Sequence, residues 1–257
     1  MSTGDEKQAA GSPGGSDEPD ETNSGLLFGV ATRFEQVVSA WRLVYVAYRR
    51  LGLVDPNEYE IHTSRQAASP QGAVIVGEIR GQTAATLTIV RDGNLGLPLD
   101  GVYPAELGGL RARGRSLNEV GLFADRREDM KRSLSALLGL MRFVFYYASL
   151  DRLTSLVIGV HPHHVSFYER MLGFETFGET KTYASVNDRL VTLLKIDVTE
   201  RLSASPVPRA LSFFLRNPVP PGGFDNRLRF SAEVLDSPPL SGYLAYKLGG
   251  HPDPPSP

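Results

Sequence analysis

Cysteine is missing altogether from this chain of 257 residues. Its absence removes disulfides, thiolate nucleophiles and Cys-based zinc sites together, so any nucleophile must be oxygen or nitrogen. Positive charge is not in excess either. Lys and Arg number 27 against 29 Asp and Glu, a formal net charge of -2, which offers no global polycation for nucleic acid and leaves only local basic patches. Apolar runs fall short of the ~20 residues that span a bilayer. The opening MSTGDEKQAAGSPGG has neither a cationic nor an apolar signal region, so the expectation is no transmembrane segment and a cytoplasmic address. What is present, 41% hydrophobic residues, suffices to bury a substantial core in one or two domains.

Residues 1–25 are Gly, Ser, Pro and acid without apolar periodicity, and read as a disordered tail. From Phe34, apolar residues at three- and four-residue intervals (Val37, Val38, Trp41, Val44, Tyr45, Tyr48) predict an amphipathic helix ending near Gly52. The β-type runs 73–79 and 84–90, separated by "RGQT", predict an antiparallel hairpin. A Gly- and Pro-punctuated insertion follows, with a short helix after Pro104, then a strand "SLNEVGLFA" and a long helix "RREDMKRSLSALLGLMRFVFYYASLD". The nearly all-apolar "LTSLVIGV" predicts a strand covered on both faces. It leads into "HPHHVSFYERMLGFE", a second helix, and a terminal strand pair joined by Asn187-Asp188. The order is that of an α/β fold with a mixed sheet. Beyond Val198 the chain is Pro-rich, with helices expected over 209–216 and 231–247. Residues 199–257 are therefore assigned as an appendage to a domain over 26–198.

Four stretches, "WRLVYVAYRRLGLVDPN" (41–57), "ATLTIVRDGNLGLPLDGVYPAELGGLRARGRSLNEVGLFAD" (85–125), "VHPHHVSFYERMLGFE" (160–175) and "YASVNDRLVTLLKID" (183–197), stand in an order and spacing that resembles one family. These are the long-chain N-acyl amino acid synthases, GNAT-like relatives of the acyl-homoserine-lactone synthases. The resemblance implies a GNAT-like, mixed and mostly antiparallel central sheet flanked by helices, with a C-terminal helical appendage. It also implies transfer of a long-chain acyl group from a thioester, usually on acyl carrier protein, to the α-amine of an amino acid. No bound cofactor is implied; the acyl-phosphopantetheine thioester is a co-substrate.

Amide formation from a thioester needs a free amine, a proton acceptor, donors for the tetrahedral oxyanion and a channel for the acyl chain. Family resemblance puts Glu119 at the sheet centre as the base; the alternative is an acid paired with a nearby arginine. An α-amine with a pKa near ~8 needs only a modest base. The resemblance adds Val120, Gly121 and Leu122 as substrate-binding, and because Gly121 stands where the family often has a hydroxyl residue, any donor there is backbone. Tyr168 holds the place from which the superfamily protonates the departing thiolate. Its alternative is a core aromatic, since Phe167 and Tyr168 should not both face inward. For the acceptor carboxylate the candidates are Arg42, Arg111, Arg113 and Arg115.

Acetyl-CoA-using members of the superfamily open the next helix with a Gly-rich loop that cradles pyrophosphate. Here no glycine stands between Phe123 and Leu138, and Glu128 and Asp129 would repel phosphate. That pattern favours acyl carrier protein, an acidic partner, docking on Arg126, Arg127, Lys131 and Arg132. The alternative for each of these is a solvated helix face. The histidines 161, 163 and 164 point different ways from one turn and make a poor zinc site; His164, at the helix start, is retained as a substrate-contact candidate. Peripheral membrane contact through a lipid product is a further expectation. Two other readings stand beside this one: a GNAT enzyme using acyl-CoA and another amine, and a non-catalytic acyl-binding module.

Overall fold

Each element grows out of local patterning, and the computed structural model describes residues 25–126, 130–150 and 152–219. The expected tail, apart from Gly25, and the helix expected over 231–247 lie outside them. Strand β1 (Leu27–Val30) precedes helix α1 (Phe34–Arg50), which buries Val37, Val38, Ala40, Trp41, Val44 and Ala47 on one side. The sequence reading did not separate β1 from the helix, because four residues are too few for alternation to stand out beside an apolar helix start. Strands β2 (Gly72–Ile79) and β3 (Gln82–Arg91) form the expected hairpin, turning at Arg80 and Gly81. Both turn residues have positive φ, 52° and 74°, as a two-residue hairpin turn that matches strand twist requires.

A 3₁₀ turn (Pro98–Gly101) and helix α2 (Pro104–Ala112) lead into β4 (Ser116–Asp125). Helix α3 (Met130–Ser149) and strand β5 (Thr154–Val160) follow. The second helix of the sequence reading is broken: a 3₁₀ turn at Pro162–His164, one α turn α4 (Val165–Phe167) and a π turn over Tyr168–Leu172. It stops at Gly173, whose φ of 77° is one that side-chain-bearing residues rarely adopt. Strands β6 (Glu175–Thr176), β7 (Lys181–Tyr183) and β8 (Arg189–Asp197) and helices α5 (Val198–Ser203) and α6 (Arg209–Arg216) complete the described chain.

The strands run in the order β1-β2-β3-β4-β5-β8-β6, with β7 also paired to β8. Every pairing is antiparallel except β4 with β5. On one face Leu137, Met141 and Val144 of α3 pack with Ile75, Leu87, Leu156 and Ile158, and Phe214 of α6 joins them. On the other, Trp41 of α1 packs with Val74 and Val76, and Tyr103, Leu107 and Leu110 pack with Leu117 and Val157. Strand β5 thus sends Leu156 and Ile158 one way and Val157 the other, which is why its sequence is nearly all apolar.

Two irregularities open the sheet at its centre. The parallel β4–β5 ladder ends at Glu119 opposite Val157, although β4 runs on to Asp125 and β5 to Val160. On its other edge β4 bulges: Gly121 pairs with Thr88 and Ala124 with Thr86, so two residues, Leu122 and Phe123, oppose Leu87 alone. Leu122 takes a φ of 51°, a left-handed conformation that costs a leucine about 1–2 kcal/mol. A wedge therefore separates β4 from β5 beyond Glu119.

At the closed end of the wedge, Arg115 ties three elements together. Its Nη2 meets Asp197 Oδ1 at 2.7 Å, Nη1 meets Glu200 Oε1 at 2.9 Å, and Nε donates to Ser155 Oγ at 2.9 Å. Burial opposes ionisation of Asp197, but the Ser155 hydroxyl, Lys195 and Arg115 outweigh it and hold that carboxyl below its usual range. Arg115→Met should lower stability by about 1–2 kcal/mol, since Asp197 loses one cation and keeps Lys195 and the Ser155 hydroxyl. Urea unfolding measures this.

Candidate active site

Glu119 sits in the wall of a chamber of about 330 Å³, beside the wedge. Only 7% of it is exposed. The Leu99 N–H, delivered by the 3₁₀ turn, donates to its Oε2 at 2.8 Å. Burial pushes the carboxyl up to about 8; the Leu99 N–H pulls it back, and the nearby Asp100 carboxylate adds to the rise. Such an acid is poised to take a proton from an amine of similar pKa. Around it stand Tyr48, His62, Arg65, Thr88, Tyr183 and Ser185. The Thr88 hydroxyl is buried there without a hydrogen-bond partner among the described residues. Arg65 is exposed at the rim and pairs with no carboxylate among the described residues.

A second, more apolar chamber of about 510 Å³ shares Tyr48, Val120, Gly121, Leu122 and Gly159 with the first. Leu87, Phe123, Met141 and Ile158 carry it to the α3 face, so the cavity passes through the wedge rather than lying on one side of the sheet. Leu51 and Leu190, 41% and 46% exposed, rim it with Arg189. Tyr168 lines this chamber from the π turn, and burial raises its hydroxyl to about 12, so it remains a proton donor at neutral pH. Phe167 and Tyr168 are both half-buried against the core, with ring centroids 5.4 Å apart, which corrects the expectation that only one could face inward.

The fold that carries these two chambers has known relatives. The family profile described as N-acyl amino acid synthase FeeM matches residues 39–197. The chain belongs to that family. It is an acyltransferase with a GNAT-like fold. The structure of FeeM, an N-acyl amino acid synthase from uncultured soil microbes, aligns with a TM-score of 0.63 at 25% identity, over 73% of this chain and 96% of that one. The CoA-dependent acyl-homoserine lactone synthase BjaI, solved with SAM and isopentyl-CoA, aligns with a TM-score of 0.54 at 10% identity, over 75% and 89% of the two chains. MesI, another CoA-dependent synthase of that kind, gives 0.50 at 13%, over 74% and 94%. At such identities the latter two share the fold alone. Comparison with curated sequences finds no match.

Within this acyltransferase fold the candidate residues divide. Glu119, Val120, Gly121 and Leu122 meet in the polar chamber, and Tyr168 and His164 line the apolar one with His161 and His163. Arg42 instead faces a groove between α1 and the β2–β3 turn, which it shares with Arg33, Arg50 and Arg126. Arg111 lines a third cavity, where it is held by Asp92 and Asp100, and Arg115 is held as described above. Arg113 lies near the Phe177 ring. Of the expected docking cations, Arg126 is exposed, Arg127 lies outside the described residues, and Lys131 and Arg132 are described only as helical backbone of α3. Among the described residues no group of three His, Cys, Asp or Glu side chains is placed to hold a metal ion, and no helix is long and apolar enough to cross a membrane.

Sequence reasoning passed over Arg65, Thr88 and Tyr183. Arg65 sits in a loop, "HTSRQ", with no periodicity to mark it, and Thr88 and Tyr183 look like ordinary strand residues. Their signal is spatial, since β3, β7 and the 61–66 loop converge only once the sheet is built.

Proposed function

We propose that the enzyme moves a long-chain acyl group from an acyl carrier protein thioester to the α-amine of an amino acid. The observation that carries this reading is the joined pair of chambers, one polar with a buried base and one apolar and continuous through the sheet. The acceptor amine enters beside Glu119. Its nitrogen attacks the thioester carbonyl carbon, forming the C–N bond as its proton passes to Glu119. The oxyanion is met by backbone N–H groups of β4 beyond Glu119, which the wedge frees from pairing with β5. As the C–S bond breaks, Tyr168 gives its proton to the sulfur. The acyl chain occupies the apolar chamber. No cofactor is required beyond the donor's own phosphopantetheine.

The donor assignment rests on the sequence between Phe123 and Leu138, which lacks a glycine for a pyrophosphate cradle; the adjoining groove adds Arg33, Arg42, Arg50 and Arg126, against Glu35, Glu78 and Asp125 in the same lining. Discharge of acyl carrier protein and acyl-CoA by the purified protein tests it; faster turnover of the CoA thioester at equal concentration overturns it. For the acceptor, Arg65 is the cation that shares the polar chamber with Glu119, and it takes the place proposed from sequence for Arg42, Arg111 or Arg115. Arg65→Ala should raise the Michaelis constant for the amino acid about 10- to 100-fold, the worth of a charge-assisted hydrogen bond, while leaving that of the thioester unchanged. Steady-state kinetics with each substrate varied in turn reads the split.

A further inference from the structure

We infer that Arg111 is a positioning residue for Glu119, acting through the Pro98–Gly101 turn; this rests on the reading of Glu119 as the base. Arg111 Nη1 and Nη2 grip the two Asp100 oxygens, each at 2.7 Å. Its Nε and Nη2 grip the two Asp92 oxygens at 2.6 and 3.0 Å. One guanidinium thereby joins helix α2, the end of β3 and the turn. Asp100 Oδ2 accepts the Leu97 N–H at 2.7 Å, which fixes the start of the turn. Pro98 has no N–H, and the next one along the turn, that of Leu99, donates to Glu119 Oε2. From the far side, the Tyr183 hydroxyl donates to the Pro98 carbonyl at 3.3 Å. Gly159 leaves the space that the Leu99 side chain fills, since a Cβ there would come within 2.8 Å of it. The turn is held on three sides, and the base is the group it serves.

The same arrangement places two opposite charges on the turn that serves Glu119. Asp100 is an anion close enough to disfavour the Glu119 carboxylate, and Arg111 is the cation paired with Asp100. The other titratable groups facing Glu119 are Tyr48 at the end of α1, His62 and Arg65 from the 61–66 loop, and Tyr183 from β7. Tyr48, Arg65 and Tyr183 make no hydrogen bond or ion pair with Arg111 or Asp100 among the described residues. Changes at Arg111 and Asp100 should therefore reach Glu119 through the turn and through charge.

Removing the cation and removing the anion should move Glu119 in opposite directions. In Asp100→Asn the amide oxygen can still accept the Leu97 N–H, and the carboxyl of Glu119 should titrate about one pH unit lower than in the wild type. In Arg111→Met the anion is unshielded and the turn loosened, and it should titrate about one unit higher. Arg111→Lys, which keeps the charge without the fork, should fall between Met and wild type. The measurement is NMR titration of the full chain labelled with ¹³C-glutamate, the Glu119 signal being assigned by its loss in Glu119→Gln. Circular dichroism confirms folding, and if Arg111→Met does not fold, Arg111→Lys carries its arm. Unmoved midpoints, or movement in the same direction in both variants, would overturn the inference, because general loosening of the site cannot give opposite signs. The titration needs no turnover. Midpoints that move as stated in a protein that transfers no acyl group would uphold the relay and sink the acyltransfer reading of Glu119.

Discussion

Glu119→Gln is expected to cut acyl transfer by about 10²- to 10⁴-fold, the usual worth of a general base, while making the protein more stable at alkaline pH. The folded-state carboxyl titrates near 8, above the ~4.3 of an unfolded glutamate. The native state therefore holds that proton more tightly than the unfolded chain does. Below about pH 4.3 both states are protonated and Glu119 costs nothing. Between about 4.3 and 8 stability falls as pH rises, by a few kcal/mol in all, and above 8 the loss is constant. Glutamine keeps an oxygen for the Leu99 N–H and has no charge to bury. Its thermal midpoint should exceed that of the wild type by about 5 °C or more at pH 9, with the gain shrinking towards pH 5. The wild-type kcat/KM should rise with pH to a plateau beyond 8 as both Glu119 and the acceptor amine lose protons, and the variant should keep only the shallower rise that the amine supplies. A Gln variant that is less stable at pH 9, or that keeps full activity, would remove Glu119 from its role.

The apolar chamber carries the second large effect. If the acyl chain lies between Leu87, Phe123, Met141 and Ile158, each added methylene should contribute about 0.8 kcal/mol, or about fourfold in kcat/KM, until the chamber is full. From a butyryl to a decanoyl thioester the gain should be on the order of a thousandfold. Met141 is 1% exposed at the α3 end, so Met141→Trp should end that series several carbons earlier while leaving short donors unaffected. The overpacking should cost about 1–3 kcal/mol of stability, which the assay temperature must allow for. A series flat with chain length would place the acyl chain elsewhere.

The two chambers also show where sequence was informative. Periodicity located α1, α2, the β2–β3 hairpin, β4, α3, β5, β8 and α6, because each carries a regular apolar pattern or a strong turn signal. It missed β1, which has four residues, and the breaking of the 162–172 segment into 3₁₀, α and π turns. That break depends on how Phe167 and Tyr168 pack against Phe174 and α3, which no local pattern encodes. Glu119 entered as a candidate on family resemblance alone; what the folded chain adds is its burial in the wall of the polar chamber and the Leu99 N–H on its Oε2. The arginines were not legible in the sequence. "GLRARGR" offers three at equal intervals, and only the folded chain shows Arg111 clamped to Asp92 and Asp100, Arg115 clamped to Asp197, and Arg65 from another loop lining the polar chamber with Glu119. Charge partners distant in sequence decide which cation is committed and which stays available.

The most direct test of the acyltransfer account is mass spectrometry of the products formed when the purified protein is given a long-chain acyl carrier protein thioester and an equimolar mixture of amino acids. The expected result is an N-acyl amino acid that grows with time, is missing with Glu119→Gln and is suppressed with Arg65→Ala. Discharge of the thioester to free fatty acid alone, or no product with either a carrier-protein or a CoA donor, would contradict it.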